Sequence, residues 1–129
     1  MLHTPITAFY GGLLGITFMY LSILVIKGRR SAKISLGDGG NSHFLGIIRA
    51  HANFAEYVPL ILILMLIAEI NLAHTGVLHA TGVALLIGRI VHAYGLKHHS
   101  GASWQRIAGM MLTFGALIGL SVQNIVFLY

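Results

Sequence analysis

A charged and polar stripe begins a long apolar stretch of the sequence. Arg49, Asn53 and Glu56 are spaced by four and then three residues, so on a helix they share one face. The residues that follow, Leu60–Ala68, are all apolar. Because a charge at the centre of a membrane-spanning helix costs about 2.5–3.5 kcal/mol on insertion scales, a stripe in this position requires an explanation.

The whole chain is too apolar for an ordinary soluble domain. Of its 129 residues, 57% are hydrophobic and 9% are charged, with a mean hydropathy of +0.84, whereas soluble domains carry ~25% charged residues. The absence of cysteine excludes disulfides, cysteine metal sites and a cysteine nucleophile. The net charge of +5 comes from basic residues at the ends of apolar segments, which indicates membrane anchoring and not nucleic-acid binding.

Four apolar segments are each long enough to cross a bilayer, which requires ~20 residues per helix. We predict an all-α integral membrane protein, a four-transmembrane-helix bundle with a single domain over residues 1–129. The predicted helices cover about residues 6–26, 43–70, 75–96 and 103–128. The first segment is too long for a cleaved signal peptide, lacks a basic region before it, and is followed by a basic flank.

Lysine and arginine are distributed unevenly between the two ends of these segments. Residues 27–42 carry four of them, and Lys97 and Arg106 flank the loop 97–102, whereas the 71–74 turn and both termini carry none. The positive-inside rule therefore predicts that loops 27–42 and 97–102 are cytoplasmic and that both termini lie on the opposite side.

This orientation places several arginines in the inner half of the membrane, at ~1.5 Å of helix rise per residue. They are Arg29, Arg30, Arg49, Arg89 and Arg106. A single buried glutamate, Glu56, cannot neutralise all of them, so we expect an anionic ligand. The alternative is that these groups only join the helices, through hydrogen bonds worth ~0.6–2 kcal/mol each.

The motif in Arg49–Pro59, Arg-Ala-x-x-Asn-x-x-Glu-Tyr-x-Pro, resembles the signature of the MAPEG family, the membrane-associated proteins of eicosanoid and glutathione metabolism. The arginine pair Arg29-Arg30, the Arg89-x-x-His92 pattern and Arg106 also match family positions, so the similarity spans most of the chain. The resemblance, to a bacterial-type member, implies a homotrimer in a bacterial inner membrane, with sites between the subunits.

The resemblance also implies glutathione as the ligand. Arginines can bind its two carboxylates through forked hydrogen bonds, and Glu56 can bind its ammonium group. The residues implied in binding are Arg29, Arg30, Arg49, His51, Asn53, Glu56, Tyr57, Arg89 and His92. His51 lies roughly 200° from Arg49 around the helix, and by resemblance we expect it to face a neighbouring subunit.

Arg106 matches the family's candidate catalytic residue, which would stabilise the glutathione thiolate. A free thiol has a pKa of ~8.5, and lowering it by ~2 units requires ~2.7 kcal/mol. Alternatively, Arg106 is an interfacial arginine that extends to the membrane surface. Seven residues after Arg89, where several catalytic members have tyrosine, this chain has Leu96. Binding of glutathione is therefore a firmer expectation than any particular reaction.

The leading prediction is a glutathione-dependent transferase or peroxidase that acts on a lipophilic small-molecule electrophile entering from the membrane lipid. One alternative is a proton-coupled exporter that uses Glu56, although the nearby arginines would repel a cationic substrate. Another is a non-catalytic membrane subunit. We expect no metal site, because the adjacent His98 and His99 cannot easily bind one ion. We also expect no nucleic-acid partner, because the basic residues lie at the ends of apolar segments.

Overall fold

The computed structural model describes residues 3–127, and over that range it consists of four long α-helices. They are α1 (Pro5–Ala32), α2 (Ser42–Ile70), α3 (Thr75–His98) and α4 (Trp104–Val126). Each helix is long and apolar enough to cross a membrane. The predicted all-α fold with four transmembrane helices is confirmed. The last residue of the fourth predicted helix, Leu128, lies outside the described range.

The first helix is longer than predicted. It continues to Ala32, whereas the hydropathy of the segment predicts an end at about residue 26. The basic residues Arg29 and Arg30 form its last turn, where positive charge interacts favourably with the negative end of the helix dipole. The helix therefore continues beyond the end of the apolar segment that is predicted to cross the lipid.

The beginning of α1 is capped by a residue from a distant part of the chain. Thr4 provides no side-chain cap for this helix. Instead, the carboxylate of Glu69, near the end of α2, accepts hydrogen bonds from the backbone N–H groups of Ile6 at 2.9 Å and Thr7 at 2.7 Å. Glu69 is only 8% exposed. It satisfies N–H groups that have no partner within the helix, and its charge complements the helix dipole.

Helices α2 and α3 form the centre of the bundle, and α1 and α4 each pack against both of them. Within the described residues, α1 and α4 make no contact with each other. Helices α3 and α4 approach closely at two glycines: a Cβ on Gly88 would lie 2.9 Å from the carbonyl oxygen of Gly109. Small residues allow such close helix contacts in membranes. Because α1 and α4 do not touch, the surface beside α1 and the surface beside α4 are separated by α2 and α3.

Candidate functional site

The charged residues of α2 form an ion pair on the surface of the chain. One Arg49 guanidinium nitrogen, Nη2, lies 3.4 Å and 3.5 Å from the two carboxylate oxygens of Glu56. The two side chains are 48% and 50% exposed. The expectation that Glu56 is buried is therefore wrong within a single chain. We call Arg49, Asn53 and Glu56 the α2 stripe.

Arg29, Arg30 and Arg106 do not converge on Glu56 within this chain. Arg29 donates a hydrogen bond to the carbonyl oxygen of Gly37 at 3.0 Å, and Arg106 donates one to that of Gly101 at 2.9 Å. Arg30 is exposed at the end of α1. Among residues 3–127, the ion pair of Glu56 is with Arg49 alone. The predicted five-arginine cluster is thus not assembled by one subunit.

Two predicted site residues on α3 are buried against α4. Arg89 is 1% exposed and His92 is 5% exposed. The guanidinium of Arg89 lies 5.9 Å from the centre of the Tyr57 ring, and its Nη1 lies 4.0 Å from the sulfur of Met110. Gly109 on α4 has room for no Cβ because one would collide with His92. Arg89 is therefore positioned by Tyr57 and Met110, and His92 by the close contact with Gly109.

Three of the predicted site residues hold a buried polar atom without a hydrogen-bond partner in the described part of the chain. These atoms are Asn53 Oδ1, Arg89 Nε and His92 Nδ1. Leaving a buried polar group unpaired typically costs about 1–3 kcal/mol. Such atoms are uncommon in folded proteins and call for a partner, whether a ligand, water or another chain.

His92 and Arg106 line a cavity of about 370 Å³ between α3 and α4, which we call the α3–α4 cavity. Its other walls include Met110, Met111 and Phe114, so most of its lining is apolar. Ser103 caps α4 by accepting a hydrogen bond from the backbone N–H of Arg106 at 3.3 Å, which fixes the start of that helix. The volume is within the range of small-molecule sites, ~300–1,000 Å³.

Tyr57 connects the α2 stripe to this cavity. Its ring packs edge-on against Phe114, a wall of the cavity, with 5.7 Å between ring centres. It also lies beside Arg89 and follows Glu56 directly in the chain. The predicted site therefore divides into an exposed ion pair and a largely apolar cavity, and Tyr57 contacts a wall of the cavity. Sequence spacing gave no signal for the contribution of Phe114.

His51 contacts α1 of its own chain, and its expected contact with a neighbouring subunit stays a prediction. Its Nε2 forms a hydrogen bond with Ser22 Oγ at 3.1 Å, and its ring stacks on Phe18 with 4.7 Å between centres. Both contacts are to α1 of the same chain. The sequence correctly predicted that His51 lies on a different face of α2 from the α2 stripe. The angle around the helix does not show which helix packs against that face.

The Leu96 position has no hydroxyl group, and Tyr94 does not replace one. The Tyr94 ring stacks on His98 with 4.1 Å between centres, and Tyr94 does not line the α3–α4 cavity. Leu96 instead packs closely against α2, where a Cβ on Gly46 would collide with its carbonyl oxygen. The tyrosine that the resemblance places in catalytic members is therefore replaced by leucine at position 96, and Tyr94 lies elsewhere.

Comparison with known proteins supports the membrane fold and the motif together. A family model described as "MAPEG family" matches residues 7–126. The chain is 38% identical over 120 residues to "Inner membrane protein YecN" of Escherichia coli strain K12, covering 93% of this chain and 90% of that protein. The protein of the same name from Escherichia coli O6:H1 matches to the same extent. The chain therefore belongs to the MAPEG family.

Proposed function

We propose that this protein is a glutathione-binding integral membrane protein and a glutathione-dependent transferase or peroxidase for lipophilic electrophiles. By extension from the E. coli relative, we place it in a bacterial inner membrane. The observation that carries the proposal is the half-exposed Arg49–Glu56 pair on a membrane-spanning helix.

An exposed ion pair on such a helix is unfavourable against lipid. The two groups are held at 3.4 Å, a long contact, and half of each side chain faces outward. Charged side chains in membrane segments face protein interiors or water-filled cavities and mark functional sites. A polar ligand or a second chain must therefore cover the α2 stripe. Glutathione fits because its carboxylates can bind Arg49 and its ammonium can bind Glu56.

We propose that a homotrimer completes the site. The exposed side chains of Arg49 and Glu56 are open to a partner. A neighbouring subunit could add Arg29 and Arg30, which lie at the loop end of α1. Native mass spectrometry in detergent should show three chains; a stable monomer or dimer would contradict this part of the proposal.

The α3–α4 cavity suits the chemical step. Arg106 and His92 supply positive charge and a hydrogen-bonding ring, while Met110 and Phe114 supply an apolar surface for a lipophilic substrate. In the transferase reaction, the thiol loses its proton to water and the sulfur forms a new bond to the electrophilic carbon. The bond between that carbon and its leaving group breaks at the same time, and the leaving group departs with the electron pair. Stabilisation of the thiolate by Arg106 would make sulfur a nucleophile near neutral pH.

A second candidate function is a membrane protein that binds glutathione without catalysing a reaction. The observation that favours it is Leu96, which packs on Gly46 and offers no hydroxyl group to the site. The proton-coupled exporter is disfavoured, because Glu56 is already paired with Arg49 and a cationic substrate would have to compete with that arginine.

Calorimetry with glutathione and the purified trimer tests the proposal. We expect binding to the wild type, and Arg49→Ala should weaken it by about 2–5 kcal/mol because it breaks a charge pair with the ligand. The matched control is Lys27→Ala, an exposed basic residue near the end of α1, which should leave binding unchanged. Absence of wild-type binding, or equal losses in both variants, would overturn the proposal.

A further inference from the structure

A second apolar cavity lies on the α1 side of the bundle, with a volume of about 350 Å³. Helix α2 forms its floor through Ala50, which is 3% exposed, and α1 contributes the buried Leu21. Its walls are half-exposed residues of α1 and α3, namely Tyr20, Ile90 and Tyr94. None of these residues lines the α3–α4 cavity. This groove, the α1–α3 groove, is thus separate from the proposed glutathione site.

A smaller polar cavity of about 190 Å³ adjoins the groove at the loop end of the bundle. It lies between the start of α2 and the end of α3, and it is lined by Ser42, His43, Leu96, Lys97, His98, His99 and Ser100. Lys97 and His98 line both cavities. No carboxylate is among the lining residues of either one. An apolar space therefore continues into a basic, hydroxyl-containing one.

Two tyrosines hold the shared basic residues at the junction. Lys97 Nζ lies 3.5 Å from the hydroxyl oxygen of Tyr20 and 5.9 Å from the centre of its ring. His98 stacks on Tyr94, and its Nδ1 donates to the Tyr94 carbonyl oxygen at 3.0 Å. Within residues 3–127, Lys97 forms no ion pair. Its charge is therefore available to an anionic group.

We propose that the groove and the polar cavity together bind one anionic phospholipid. An acyl chain occupies the α1–α3 groove, and the phosphate lies in the polar cavity, where it accepts hydrogen bonds from Lys97 and the Ser42 hydroxyl. Basic pockets between membrane helices on the cytoplasmic side recognise anionic headgroups, and these loops carry the positive charge that predicts a cytoplasmic location. The groove supplies apolar contacts and the polar cavity supplies positive charge, so binding of one phospholipid uses both.

Native mass spectrometry of the delipidated trimer, titrated with phosphatidylglycerol and with phosphatidylcholine of the same acyl chains, tests this proposal. We expect tighter binding of phosphatidylglycerol. Lys97→Gln should weaken phosphatidylglycerol binding about fivefold, since one lysine near a membrane surface contributes ~1 kcal/mol. Phosphatidylcholine should be weakened by a smaller factor, because its own ammonium group balances the charge of its phosphate. The matched control is Lys33→Gln, an exposed lysine at the loop end of α1 that lines neither cavity.

A second variant tests the acyl-chain half of the site. Ala93→Leu places a larger side chain in the groove wall and should weaken both lipids while glutathione binding, on the other side of α3, is retained. Equal binding of the two lipids, or equal losses from Lys97→Gln and Lys33→Gln, would overturn the proposal and indicate general surface charge. Equally tight binding of glycerol phosphate would overturn it in favour of free phosphate.

Discussion

The two glutamates of α2 occupy contrasting environments. Glu69 is 8% exposed, and its two oxygens accept backbone hydrogen bonds from Ile6 and Thr7 at 2.9 Å and 2.7 Å. The Glu56 side chain is 50% exposed and is held by Arg49 at 3.4–3.5 Å. One carboxylate is fully used by its own chain, and the other is only loosely paired. Glu69 therefore stabilises the fold, and Glu56 is available to bind a partner.

The contrast extends to the two ends of the bundle. At the end with the 71–74 turn, the hydroxyl of Tyr10 and Nδ1 of His79 form a hydrogen bond of 3.0 Å between α1 and α3. In the half with the polar loops, Arg89 and His92 are buried with unpaired nitrogens. Thr7 Oγ1 and Asn124 Oδ1, at the turn end, are also buried and unpaired. The half with the polar loops differs because its unpaired groups include a buried guanidinium, that of Arg89.

The largest expected effect on stability is that of Glu69→Gln. The amide keeps one acceptor oxygen but loses the charge that complements the start of α1, so the free energy of unfolding should fall by about 2–4 kcal/mol. Glu56→Gln, in the same helix, should change it by less than ~1 kcal/mol, because exposed ion pairs contribute little. Reversible unfolding in mixed detergent micelles measures both. Similar losses in the two variants would remove the distinction between the glutamates.

The second effect concerns the thiol of bound glutathione. If Arg106 stabilises the thiolate by ~2 pKa units, or ~2.7 kcal/mol, the complex should show thiolate absorbance near neutral pH, where free glutathione shows little. Arg106→Ala should abolish that absorbance and keep most of the binding, since the α2 stripe is intact. Glutathione bound by the wild type without thiolate absorbance would instead favour the non-catalytic binder with Leu96.

The sequence was sufficient for the features that depend on local pattern. Hydropathy and length predict the four spans, and the spacing within one helix predicts that Arg49 and Glu56 share a face. Contacts between distant segments were not predictable: Glu69 lies 63 residues from Ile6, which it caps. The neighbour of His51 depends on where α1 packs. Arg29 and Arg106 bond to loop carbonyls, which depend on the loop conformations and not on residue type.

The smallest expected effect on stability is that of Arg89→Met. This variant tests whether Arg89 stabilises the fold, as Glu69 does, or is available for a ligand, as Glu56 is. Arg89 is almost fully buried, forms no ion pair among residues 3–127, and lies near the Met110 sulfur and the Tyr57 ring. Replacing a buried charge with an apolar residue of similar volume is often neutral or stabilising. We therefore expect the free energy of unfolding to change by less than ~1 kcal/mol, while calorimetry shows weaker glutathione binding. A loss of stability as large as that of Glu69→Gln, with binding retained, would show that Arg89 belongs with the structural groups.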